Sequence, residues 1–138
     1  MAAKPLNWDE GKTILVPATN TTAFVKGGMC IYTSGLLDVA VAGGNVPIRL
    51  VVAETVTTTS SGQLVKCWPT EGVLYEVDTD DAWSTVDQGT LCDVATVSTL
   101  NPDASTDDLF FIVKGVGTAE GTGENLKVIG YFSQANET

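Results

Sequence analysis

The chain has 138 residues, 17 of them acidic and 7 basic, for a net charge of -10, and it contains no histidine and a single arginine, Arg49. This length suits one domain with a continuous core, and the acidic balance disfavours nucleic acid, anionic membrane surfaces and any role that rests on neutralising phosphate. Histidine is the commonest general acid–base and metal ligand near neutral pH and arginine the usual carboxylate clamp, so most catalytic and ligand-gripping arrangements lose their central member.

Along the chain, short β-branched runs close on Gly, Pro, Asn or Ser, the spacing of an all-β sandwich or small barrel with little helix. Residues 1–12 are polar, carry Pro5 and Gly11 and show neither period, so they read as an extended N-terminal arm outside a single β-domain of residues 13–138. Trp8 is the arm's only large anchor. Thr13–Val16 is a first strand ended by Pro17, and Thr22–Lys26 a second, leading into Gly27-Gly28. Met29–Thr33 and Leu36–Ala42 face each other across Ser34-Gly35, a two-residue spacing that selects a tight hairpin.

Ile48–Thr57 is the longest strand expected, with Pro47 tolerated at its start and Arg49 pointing outward or capping a carboxylate. Leu64–Trp68 and Gly72–Val77 flank Pro69-Thr70-Glu71 as a further strand pair; alternation places Val73, Tyr75 and Val77 on one face, Leu74 and Glu76 on the other. Asp78–Asp87 allows one helical turn before Gly89, and Thr90–Val97 resumes strand. After a loop at Asn101–Ser105, Leu109–Lys114 and Leu126–Phe132 close the domain, joined by the glycine-rich stretch 115–123.

Candidate sites fall away one by one. Asp78-Thr79-Asp80-Asp81 starts like a calcium loop, but Trp83 stands where the loop needs glycine and Gly89 where it needs glutamate, leaving a solvated acidic turn. Asp103, Asp107 and Asp108 read the same way. Cys30, Cys67 and Cys92 are odd in number and far apart, without a C-x-x-C, and read as buried free thiols rather than metal ligands. Gly115–Glu120 lacks the third glycine, the helix and the lysine of a phosphate loop. No G-x-S-x-G or S-x-x-K occurs, so no catalytic residue, cofactor or metal is expected. The sequons at Asn20 and Asn136 carry meaning only in a secreted chain, and no run approaches the roughly 20 apolar residues of a membrane helix. Met1–Pro5 lacks the apolar stretch of a secretory signal, so the chain is expected to be made in a cytoplasm.

Three stretches carry a likeness to a known class: Phe24–Tyr32, with Gly27-Gly28 leading into the first hairpin; Val65–Val77; and Val86–Val94. Over residues 22–132 the order of elements resembles the small β-barrel capsid decoration (cement, head-stabilising) proteins of tailed bacteriophages. The resemblance implies a virion structural protein, not an enzyme, that sits as a homotrimer on the capsid exterior and clamps the major capsid protein. It also implies that the arm, through Pro5, Leu6 and Trp8, reaches a neighbour; extended at about 3.3 Å per residue, twelve residues span roughly 40 Å. On this reading the arm is dispensable for folding. Two other readings stay open: another virion component such as a tail-tube or head-completion subunit, and a carbohydrate- or ligand-binding β-domain, which the scattered tryptophans disfavour.

Overall fold

The computed structural model describes residues 2–117 and 126–134. It is an all-β fold with a closed five-stranded barrel and a curled six-stranded sheet; the one helical element among the described residues is a single 3-10 turn, Thr85–Asp87. The strands in chain order are β1 Ala3–Pro5, β2 Ile14–Ala18, β3 Ala23–Phe24, β4 Met29–Thr33, β5 Leu36–Val39, β6 Leu50–Val52, β7 Val56–Thr57, β8 Gln63–Pro69, β9 Tyr75–Asp78, β10 Leu91–Val94, β11 Leu100–Asn101, β12 Phe110–Gly115 and β13 Lys127–Phe132. The barrel runs β2-β5-β4-β6-β8 and closes by pairing β8 with β2, and the sheet runs β1-β9-β13-β12-β10-β11.

The barrel wall is built by strict alternation. Val16, Ala18, Cys30, Leu37, Leu50, Val52, Val65 and Cys67 are buried together, with Phe24 added from the β3–β7 ribbon. A lumen of five strands is narrow, and small or β-branched side chains fill it; the two thiols act there as small apolar volumes. The second core lies between barrel and sheet. Met29, Ile31, Val51 and Trp68, from strands of the barrel, cluster with Ala3, Tyr75, Val77, Cys92, Phe110, Ile112, Val128 and Phe132 of the sheet. Phe132 meets Tyr75 and Phe110 edge-on at 5.2 and 4.9 Å, contacts worth about 1 kcal/mol each beyond area.

The hairpin at Ser34-Gly35 forms as expected: Thr33 pairs with Leu36, and φ of 50° and 82° at the two turn residues gives a type I′ turn whose twist matches the strands. Val73, Tyr75 and Val77 are buried and Leu74 and Glu76 half-buried, in the expected alternation. Elsewhere the structure redraws the expectations. Strand β2 runs through Pro17, because its second neighbour β5 pairs with it only at Ala18↔Leu37 and the missing N–H is tolerated. The long strand 48–57 breaks at Ala53–Thr55, where Glu54 Oε2 accepts the Lys66 N–H at 2.7 Å and the chain leaves the barrel to pair with β3.

Strands β8 and β9 are not partners. Buried Thr70 donates its hydroxyl to Ile48 O at 2.8 Å, and the turn to Val73 sends the chain from barrel to sheet, where β9 joins β1 and β13. Among the described residues Arg49 meets no carboxylate: its Nη1 donates to Gln134 Oε1 at 3.1 Å, and Gln134 Nε2 donates to Thr70 Oγ1 at 2.9 Å. The glycine-rich connection beyond Gly117 and the Asn136 sequon lie outside the described residues.

Candidate interaction surface

The N-terminal segment runs along its own domain, extended over Ala3–Pro5 and turning through the residues that follow. Ala3–Pro5 is the edge strand beside β9, in register Ala3↔Val77 to Pro5↔Tyr75, with Leu6 N–H donating to Leu74 O at 2.8 Å. Ala3 is fully buried, and Pro5 is buried. Trp8 is half-buried against the core between barrel and sheet, its indole N–H donating to Lys12 O at 2.8 Å, and the buried Trp68 donates its own indole N–H to Glu10 O at 2.9 Å. Of the three expected partner-binding residues, Leu6 alone is exposed.

Leu6 has company that spacing along the chain did not reveal. The ladders align Leu6 with Leu74 by continuation of the β1–β9 register, Leu74 with Tyr131 by continuation of β9–β13, Tyr131 with Phe111, and Phe111 with Leu91. Inward neighbours such as Tyr75, Phe132, Phe110 and Cys92 are buried, so pleating turns these five side chains outward. Leu6, Tyr131, Phe111 and Leu91 are 41, 39, 39 and 38 % exposed. A continuous apolar row crosses five strands of the sheet.

Beside this row most of the outward positions are charged. Lys4 stands opposite Glu76, Lys114 opposite Ile129, and Lys127 opposite Asp78, to which its Nζ is bridged at 2.7 Å. The Asp78 carboxylate beside it holds the Lys127 ammonium above its ordinary pKa.

The acidic residues gather at the loops around β11. Asp93 is buried, its carboxylate accepting the backbone N–H groups of Thr106, Asp107 and Asp108 at 2.8–3.0 Å, so one acid of the group is a structural staple for the loop. Asp80, Asp93 and Asp107 line a recess of about 520 Å³. Asp103 is exposed beside it; desolvation and the Asp87, Asp81 and Asp80 carboxylates hold its carboxyl above the usual range. The three acids suspected of a calcium loop are drawn apart: Asp78 pairs with Lys127, Asp80 N–H bonds Leu100 O, and Asp81 Oδ1 accepts the Ala82 N–H. Among the described residues no three acidic or thiol groups are placed to hold one metal ion.

All three thiols are free and buried. Burial pushes Cys67 and Cys92 up to about 12, with Glu54 adding to the first and Asp93 to the second, and raises Cys30 further. Below pH 9 folded and unfolded thiols are both protonated and stability is complete; above it the unfolded chain ionises while the fold retains its protons. Each thiol then withdraws up to about 1.4 kcal/mol of stability per pH unit until its folded pKa is passed. The melting temperature should hold from pH 7 to 8.5 and fall steeply between pH 9 and 11, as read by circular dichroism, and the Cys67→Ala/Cys92→Ala chain should lose much of that slope. A pH-independent melting temperature up to pH 11 would contradict the burial of these groups.

Compared with known protein families, curated proteins and solved structures, the chain matches none.

Proposed function

We propose that this chain is a decoration protein of a tailed-bacteriophage head: it binds the outer surface of the capsid as a homotrimer and stabilises the lattice of the major capsid protein, without catalysis. The observation that carries the reading, beyond the likeness in element order, is a two-core β-domain that turns a continuous apolar row outward instead of framing a reaction centre. Isolated exposed apolar residues need no explanation, whereas a contiguous stripe on a solvent-facing sheet marks a protein contact. Leu6, expected as a partner-binding residue, stands in that stripe. Rigidity suits the role, since among the described residues every strand is paired and the buried side-chain polar atoms all have partners.

The test uses heads assembled from the major capsid protein encoded in the same genome and lacking any decoration. Purified chain should co-sediment with them at a fixed, saturable ratio and raise the temperature at which they rupture. Absence of co-sedimentation at tens of micromolar chain would overturn the proposal.

A further inference from the structure

We infer that the outward face of the six-stranded sheet is where one copy of this chain grips the next, with the acidic loops around β11 of the neighbouring copy as its occupant. The inference rests on the trimer reading above and assigns it a surface. An odd-numbered ring cannot be built from a patch that meets itself, so each copy must offer two different, complementary patches.

The charges are segregated in the way such a contact requires. From Glu71 to Asp108 the sequence holds ten of the chain's 17 acidic residues, and no lysine or arginine lies between Lys66 and Lys114. Five of those ten collect at the Thr79–Asp81 turn and the 102–108 loop, where Asp103 feels its acidic neighbours. By contrast, strands β1, β9, β13 and β12 turn outward three lysines, Lys4, Lys114 and Lys127, against two carboxylates, Glu76 and Asp78. Three of the seven basic residues thus stand on one face of a chain whose net charge is -10. They flank the apolar row centred on Phe111 and Tyr131, which supplies the surface to desolvate, while the lysines select an acidic partner surface and repel a basic one. In a chain this acidic, a second copy brings that partner surface with it.

Two variants separate the patches. Phe111→Glu spoils the sheet face and leaves the acidic loops intact; Asp103→Lys/Asp107→Lys reverses the loops and leaves the face intact. Both alter half-buried or exposed side chains, and melting curves within a few degrees of wild type confirm that the variants fold; Tyr131→Glu replaces Phe111→Glu if that chain does not. Light scattering coupled to size exclusion should show a trimer for wild type, weakening as salt rises, and at least about tenfold weaker assembly for each variant alone. A mixture of the two should give a dimer, because one intact face then meets one intact loop. Self-assembly of the Asp103→Lys/Asp107→Lys chain at wild-type strength would overturn the inference, as would a mixture that stays monomeric. Sedimentation with capsids keeps the two claims apart: wild type that stays monomeric yet coats heads defeats this inference and the trimer while the decoration role stands, and a trimer that ignores heads defeats the decoration role alone.

Discussion

Replacing Gly130 by alanine should lower the melting temperature by about 10 °C. Gly130 lies on the inward pleat of β13, opposite Tyr75 on one side and Ile112 on the other. A Cβ built there would stand 1.9 Å from the Phe111 carbonyl oxygen and 2.8 Å from the Phe110 ring. Neither neighbour can move away cheaply: the carbonyl belongs to the adjacent strand, and the Phe110 ring is stacked edge-on against Phe132. Overpacking of a well-filled core costs about 3 kcal/mol, and for a domain of this size each kcal/mol moves the melting point by roughly 3–4 °C. Thermal melting followed at 218 nm reads this directly. A Gly130→Ala chain that melts within 2 °C of wild type would mean that β12 and β13 do not pair in this register.

Deleting residues 2–12 should also destabilise the fold by about 10 °C or more, contrary to the expectation that a polar arm is dispensable. Three contributions add. The β1–β9 ladder is lost, the inner face of β9 is uncovered where Ala3 and Pro5 lie, and the Trp68 indole loses its acceptor, Glu10 O. An orphaned buried donor alone costs about 1–3 kcal/mol. The Trp8→Ala chain is the control: its ring is half-buried and its N–H bonds within its own turn, so the loss should be about 1–2 kcal/mol. Should the truncated chain melt with wild type, β1 is not part of the domain, and Leu6 leaves the apolar row with it.

By itself the sequence determined the class of fold and its local turns, because these depend on neighbours in the chain. Alternation over 73–77 assigns inward and outward faces without knowing what lies on either side, and Ser34-Gly35 tolerates the positive φ values that a two-residue hairpin demands. The buried state of Cys30, Cys67 and Cys92 was legible from their apolar strands in the same way. Partner choice was not. Nothing local says that Leu64–Trp68 and Tyr75–Val77 belong to different sheets, that Glu54 ends a strand by capturing the Lys66 N–H, or that residues 3–5 find their edge at β9, some 70 positions away. Those outcomes turn on long-range pairing, whose energy comes from filling the barrel lumen and the space between barrel and sheet at once. The candidate surface divides along the same line. Leu6 could be named from the arm, but its neighbours Leu74, Tyr131, Phe111 and Leu91 come from four other strands, and each taken singly is an ordinary outward apolar residue. Only the registers of four successive ladders bring them into one row, so the sequence supplied the side chains and the tertiary structure decided that they form a surface.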